Sequence, residues 1–241
     1  MTAGPSEGEP LASPLDSVDR QAAVGLPTRV HLLRHGEVHN PDGILYGRLP
    51  GFRLSDNGAR MAQVVADDLA RRDLVHLRVS PLQRARETVA PLEEATGLVA
   101  EVDERLVESE NVFEGTQVDI DTALRRPELW RHLYNPFRPS WGEPFAQVAA
   151  RVLAGAADAR DAARRAAPDG GGEAVCVLHQ LPIWVARRRA EGRRLWHDPR
   201  QRQCGLASVT TLVYDEADQV VAVEYREPAA HLNRGPQLPG A

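Results

Sequence analysis

Short apolar runs alternate along the chain with longer segments in which apolar residues recur on one helical face. A run of about four to eight apolar or β-branched residues is typical of a buried strand, whereas spacings of three and four indicate an amphipathic helix. The pattern predicts strands at 30–33, 75–79, 174–178, 209–214 and 220–225. It predicts helices at 55–72, from Ser80-Pro81 onwards, at 146–167, and from Pro182 to about Arg189, with Ser55 and Ser80 as N-caps.

The order of these segments predicts an α/β fold. Strands joined through helices run parallel and are covered on both faces, so we expect a three-layer α/β/α sandwich around a mainly parallel central sheet. Residues 1–27 are acidic, broken by proline and without apolar periodicity, which predicts a disordered leader. Residues 233–241 are expected to form a flexible tail, leaving 28–232 as the folded domain. Ligands of such sheets bind outside the carboxyl ends of the strands.

The composition excludes several kinds of chemistry. All 29 basic residues of the 241 are arginine, so Schiff-base lysines and P-loop lysines are excluded. The two cysteines, Cys176 and Cys204, are too few for a zinc finger or an iron–sulfur site and predict reduced thiols. A net charge of -5 argues against a nucleic-acid partner, and no apolar run approaches the ~20 residues that cross a bilayer. We therefore expect a cytoplasmic protein with neither nucleic-acid nor membrane partners.

Charged side chains follow three of the predicted strands at their carboxyl ends. Arg34 and His35 end the first strand, Arg84 lies in the first turn after the second, and His179 follows the third. Arginine donates paired, charge-assisted hydrogen bonds to phosphate oxygens, and a neutral imidazole can attack phosphorus. The sequence thus predicts a phosphate pocket with a possible nucleophile, His35, in it.

A leaving alkoxide needs a proton, which calls for a carboxyl group kept protonated in a partly dry site. Glu108, in the stretch LVESENVFEG, is the best candidate for this proton donor. Glu110, Glu114 and Glu37 are the competing candidates.

These residues resemble the histidine phosphatase superfamily, the phosphoglycerate-mutase-like family. The resemblance lies in LLRHGE at 32–37, SPLQRARET at 80–88, the glutamate segment around Glu108, and VCVLHQ at 175–180, in that order. It implies a phosphoglycerate-mutase-like fold and a phosphatase that needs no cofactor and no metal. His35 would form a phosphohistidine, Arg34, Arg84 and His179 would clamp the phosphoryl oxygens, and Glu108 would protonate the leaving group.

The chain departs from the family pattern at several positions. Asn40 stands five positions after His35, one short of the family's phosphate-contacting asparagine, and Gln180 replaces the glycine usual after His179. We assign both residues to substrate binding. The expected partner is a small-molecule phosphate ester, and the oligomeric state stays open, with a homodimer among the options.

Three other interpretations of these residues remain. A phosphoglycerate mutase would use the same pocket, but mutases of this family carry a longer insert after the acid than the stretch ESENVFEGTQ indicates. A non-catalytic phospho-ligand binding module would carry the same charges. His31, His35 and His39 could hold a metal on one helical face, although Gly36 and Pro41 argue against a helix there. Substrate choice is expected to lie in a lid-like segment at 109–144, whose arginines, Arg125, Arg126, Arg131 and Arg138, suit a second anionic group.

Overall fold

The computed structural model describes residues 26–116, 142–168 and 170–233. Within them, six strands form one sheet: β1 (Thr28–Arg34), β2 (Leu74–Val79), β3 (Glu101–Val102), β4 (Glu173–Leu178), β5 (Val209–Tyr214) and β6 (Val220–Arg226). The four longer helices are α1 (Asp56–Leu69), α2 (Gln83–Thr96), α3 (Phe145–Ala166) and α4 (Gln180–Ala190). The predicted leader and tail lie almost wholly outside the described residues.

The strand order is β3-β2-β4-β1-β5-β6. Strands β1 to β4 run parallel, whereas β5 pairs antiparallel with both β1 and β6. The mainly parallel sheet is therefore confirmed, with an antiparallel edge where the last two strands follow each other without a helix. None of the described helices combines the length and apolar character needed to cross a bilayer.

The sheet is covered on both faces, which confirms the three-layer sandwich. Because successive side chains of a strand point to opposite faces, Leu33 and Leu32 of β1 belong to different cores. One core packs α1 and α2 against the sheet, through Met61, Val65, Leu69, Val89 and Leu92. The other packs α3 and α4, through Val148, Val152, Ala156, Ile183 and Val185.

The predicted helix boundaries are only partly right. Ser55 is the N-cap of α1, where its hydroxyl accepts from the Gly58 amide at 3.0 Å, but the helix ends at Leu69 rather than Arg72. The N-cap predicted at Ser80 is wrong, because α2 begins at Gln83 after Leu82. Helix α4 begins at Gln180, before Pro182, whose missing amide is tolerated in a first turn.

Candidate active site

The two histidines predicted at the strand ends lie side by side. Arg34 of β1 pairs with Leu178 of β4, so His35 and His179 leave two adjacent parallel strands at the same edge. The His35 amide donates to the Leu178 carbonyl at 3.1 Å. The centroids of the His35 and His179 rings are 5.2 Å apart. The sheet register, rather than any local motif, therefore brings these two imidazoles together.

Two buried guanidinium groups accompany the histidines. Arg34 and Arg84 are each only 1% exposed. Arg34 donates to the Cys204 carbonyl at 2.7 Å, and Arg84 donates to the Gly47 carbonyl at 2.7 Å while lying over the Tyr46 ring. Carbonyl oxygens satisfy hydrogen-bond donors without neutralising their charge. The site is therefore electropositive, as a phosphate dianion requires.

The hydrogen bond of His35 sets the tautomer of its ring. A carbonyl can only accept, so the 2.8 Å bond to the Gly36 carbonyl places the proton on Nδ1 and leaves the Nε2 lone pair free to react. Burial, and then the charges of Arg84 and Arg34, hold the pKa of His35 well below 6.5. The ring is therefore neutral at physiological pH, which is the state that a nucleophile needs.

The loop after His35 packs against the start of α1 at a close approach of two backbones. A Cβ on Gly36 would meet the Gly58 carbonyl oxygen at 2.6 Å, and a Cβ on Gly58 would meet the Glu37 carbonyl oxygen at 2.0 Å. Glu37 accepts from the Ser55 hydroxyl at 2.5 Å and the Asn57 amide at 3.0 Å. Its carboxylate thus ties this loop to α1, which weighs against Glu37 as the proton donor.

Ser80 contacts His179 instead of capping a helix. The Ser80 hydroxyl lies 2.7 Å from His179 Nε2, while the Leu82 amide donates to the same oxygen at 3.4 Å. Among the described residues, His179 Nδ1 has no hydrogen-bond partner. Burial, with the charge of Arg84, holds the pKa of His179 well below 6.5. A hydroxyl that donates to Nε2 would place the His179 proton on Nδ1, ready for a ligand oxygen.

The three remaining candidate carboxylates differ in their surroundings. Burial raises the pKa of Glu108, although the Ser109 amide, which donates to its Oε1 at 2.8 Å, and Arg84 oppose the shift. Glu110 is 68% exposed and pairs with Arg48 at 2.9 Å, whereas Glu114 accepts from the Arg48 amide at 3.0 Å. Glu108 is the carboxyl group whose environment favours the protonated form.

The two predicted substrate-binding amides are placed differently. Asn40 uses both ends of its amide on the backbone of Ile44, at 2.8 Å and 3.0 Å, and so closes its own loop. That engagement weighs against a substrate contact. Gln180 is the first residue of α4 and donates to the Cys204 carbonyl at 3.4 Å, while its Oε1 has no partner among the described residues.

The metal interpretation of three histidines does not fit the backbone. His31 lies in β1, not on a helix, and is buried between Thr211 and Glu173 at 2.8 Å and 2.7 Å. Across residues 26–116, 142–168 and 170–233, no group of three or more His, Cys, Asp or Glu side chains could hold a metal ion. Arg125, Arg126, Arg131 and Arg138 lie outside the described residues.

A cavity of about 500 Å³ opens beside Glu108, and it is also lined by Gly47, whose carbonyl accepts from Arg84, and by the residue after His179. Glu108 and Gln180 line it, together with Trp196, His197 and Arg202. No sequence motif indicated His197 or Arg202. Arg202 stands in a loop, DPRQRQCG, with no periodicity or motif that could have indicated its position.

A family model for the histidine phosphatase superfamily (branch 1) matches residues 30–226. The chain belongs to this superfamily. The uncharacterized protein Rv0525 of Mycobacterium tuberculosis is 54% identical over 204 residues, which cover 84% of this chain and 98% of that protein. Glucosyl-3-phosphoglycerate phosphatase of Mycobacterium tuberculosis is 35% identical over 128 residues, 51% of this chain and 56% of that protein.

Solved structures agree with this family assignment. The native structure of mycobacterial glucosyl-3-phosphoglycerate phosphatase superposes with a TM-score of 0.64 at 26% identity, covering 83% of this chain and 96% of that one. Bacillus stearothermophilus YhfR superposes with a TM-score of 0.66 at 26% identity, covering 82% of this chain and 96% of that one. The phosphoglycerate-mutase-like fold expected from the motifs is thus confirmed.

Proposed function

We propose that this member of the histidine phosphatase superfamily is a phosphomonoester hydrolase that acts through a covalent phosphohistidine on His35. The observation that carries the proposal is the unprotonated Nε2 of His35, fixed by the Nδ1 bond to Gly36 beside two buried arginines. The similarity to glucosyl-3-phosphoglycerate phosphatase supports a small phosphorylated metabolite as the substrate.

The reaction has two steps. In the first, His35 Nε2 attacks phosphorus, the ester P–O bond breaks, and Glu108 gives its proton to the leaving oxygen. Arg34, Arg84 and His179 hold the phosphoryl oxygens while charge shifts onto them. In the second, the Glu108 carboxylate takes a proton from water, the hydroxide attacks phosphorus, and inorganic phosphate leaves as His35 regains its lone pair. Atoms and charges balance without a cofactor.

A phosphoglycerate mutase would share the first step and return the phosphoryl group to the bound intermediate. Such an enzyme must keep water away from the phosphohistidine. The stretch after Glu108, ESENVFEGTQ, supports hydrolysis, because it is shorter than the insert that the resemblance to this family implies for a mutase.

The decisive experiment is rapid mixing with a radioactive phosphoryl donor, followed by a denaturing alkaline quench. We expect an alkali-stable, acid-labile adduct in the wild-type protein and none in His35→Ala. His39→Ala is the matched control, since His39 is exposed and lies in the same segment. Saturable phosphate binding with neither adduct nor turnover would refute the hydrolase and establish a binding module. An isomerised phosphoglycerate without release of inorganic phosphate would establish the mutase instead.

A further inference from the structure

The alcohol part of a substrate would lie in the cavity beside Glu108 if Glu108 protonates the leaving oxygen. Glu108 lines this cavity and is also the residue proposed to protonate the leaving oxygen. A leaving group whose oxygen contacts Glu108 must extend away from phosphorus. At about 500 Å³, the cavity is large enough to accept the rest of a small metabolite.

The charges that line this cavity are unevenly compensated. Three of its carboxylates are each ion-paired with an arginine at 2.9 Å: Glu110 with Arg48, Glu143 with Arg151, and Asp198 with Arg200. The fourth carboxyl is Glu108, whose pKa is raised by burial. Once Glu108 is protonated, it no longer balances a positive charge in the cavity.

Arg202 is the arginine of this cavity that lacks such a partner. Its Nε donates to His197 Nε2 at 2.9 Å, and no carboxylate of the described residues lies within ion-pair distance. His197 donates from Nδ1 to the Leu195 carbonyl at 2.7 Å, so its Nε2 is free to accept. The ring is held between Phe145 and Trp184, with centroids 5.4 Å and 5.8 Å away. His197 thus fixes the direction of the guanidinium group.

A partly buried cation without an anion is unfavourable unless a ligand supplies the anion. Burial lowers the pKa of Arg202 to about 10, so the group is still charged at neutral pH. With Nε held by His197, the terminal Nη1 and Nη2 receive no hydrogen-bond partner from the described residues. Two parallel N–H donors on a plane match the two oxygens of a carboxylate.

We propose that Arg202, held by His197, binds a carboxylate on the leaving group, so that the preferred substrates are phosphate esters of hydroxy acids. This inference rests on the proposed function, since it places the leaving group on the Glu108 side of the phosphate. A single guanidinium suits a carboxylate better than a second phosphate, which has more charge and more oxygens to satisfy.

The test compares kcat/KM within matched pairs of esters that differ in a carboxylate. The pairs are 3-phosphoglycerate with glycerol 3-phosphate, and O-phosphoserine with phosphoethanolamine. We expect the wild-type protein to prefer the carboxylate member of a pair by about tenfold to hundredfold, the size of a charge-assisted contact. Arg202→Gln should abolish this preference, and Arg202→Lys, which keeps the charge but not the paired donors, should retain part of it.

Arg193→Gln is the matched control, because the Arg193 side chain is 58% exposed, pairs with Glu191 outside the cavity, and should leave the preference unchanged. Circular dichroism and thermal melting show whether each variant is folded. Equal losses for both members of a pair in Arg202→Gln would overturn the inference, as would a wild-type protein without preference in either pair. Hydrolysis of p-nitrophenyl phosphate by the wild-type protein separates the two proposals. If the protein hydrolyses this ester but shows no carboxylate preference in either matched pair, only the proposal for Arg202 is refuted. If it hydrolyses none of the esters, the proposed hydrolase activity is refuted as well.

Discussion

Replacing Glu108 with glutamine separates the chemistry of this carboxyl group from its packing. Glutamine has nearly the same shape, and its Oε1 can keep the 2.8 Å bond from the Ser109 amide. The variant should therefore fold normally and lose only the transferable proton. General acid catalysis contributes about 10²- to 10⁴-fold, and the contribution is needed most when the leaving oxygen is strongly basic.

We expect phosphorylation of His35 by an alkyl ester such as glycerol 3-phosphate to slow by about 10²- to 10⁴-fold in Glu108→Gln. Phosphorylation by p-nitrophenyl phosphate, whose leaving group is weakly basic, should slow by less than about tenfold. In the proposed mechanism Glu108 also activates water, so the phosphohistidine should accumulate in Glu108→Gln and p-nitrophenol should appear as a burst. Rapid-quench and stopped-flow measurements give both rates.

Glu110→Gln and Glu114→Gln are the parallel controls, because both carboxylates interact with Arg48 and should not supply the proton. Equal slowing of the two ester classes in Glu108→Gln would refute the role assigned to Glu108. A selective loss on alkyl esters in either control would transfer the role to that residue.

Three further predictions concern pH and stability. The pKa of His35 is lowered by burial and arginine charges, and that of Glu108 is raised by burial. The kcat on alkyl esters should therefore fall as pH rises through the Glu108 pKa, which lies above 4.5, and a rise of kcat with a midpoint near 6.5 would contradict a neutral His35. Ser80→Ala leaves the buried His179 Nε2 without its hydroxyl, so urea unfolding should show a loss of about 1–3 kcal/mol and kcat/KM should fall; unchanged activity would dismiss the contact as catalytically irrelevant. Arginine hydrogen bonds outweigh burial and lower the pKa of Asp103 from 3.8 to about 2, so its stabilisation of about 2 kcal/mol is present above pH 4 and lost as pH falls towards 2. Urea unfolding of Asp103→Asn should thus differ from wild type at pH 7, and the difference should narrow between pH 4 and pH 3; a constant difference would disprove this origin.

The positions of Arg34, His35 and His179 could be predicted because strand ends follow from apolar runs. Parallel strands end at one edge of a sheet, so a run of buried residues followed by a charged one already places that charge near the others. The tautomer of His35 could not be predicted in this way. It depends on one hydrogen bond to the Gly36 carbonyl, and hence on the exact turn after β1.

Ser80 shows why the local preference of a residue for a helix N-cap can give a wrong prediction at a functional site. Serine before proline is a good helix N-cap, and the residues around Ser80 offered no reason to prefer another partner. In the structure the Ser80 hydroxyl instead contacts His179, which is distant in sequence, and α2 starts at Gln83 without a side-chain cap. The hydrogen bond between Ser80 and His179 has therefore formed in place of the local helix cap.

Arg202 could not be found from its sequence context for a related reason. Arg200 and Arg202 lie in the same loop and have similar sequence neighbours. Arg200 nevertheless pairs with Asp198 on the surface, whereas Arg202 donates a hydrogen bond to His197 in the cavity. Whether an arginine is compensated depends on which carboxylates reach it in space. Composition and spacing carry no information on that pairing.

The two buried arginines act on the pKa of both the proposed nucleophile, His35, and the proposed acid, Glu108. Burial, together with Arg84 and Arg34, lowers the pKa of His35 and keeps its ring neutral. Burial raises the pKa of Glu108, and the same two arginine charges oppose that rise. A bound phosphate dianion compensates the same two charges. Its arrival must therefore raise the pKa of Glu108 and favour the proton there, at the moment when a leaving group is present to receive it. If Glu108 is the proton donor, a bound phosphate therefore adds to the effect of burial and favours its protonated form further in the complex.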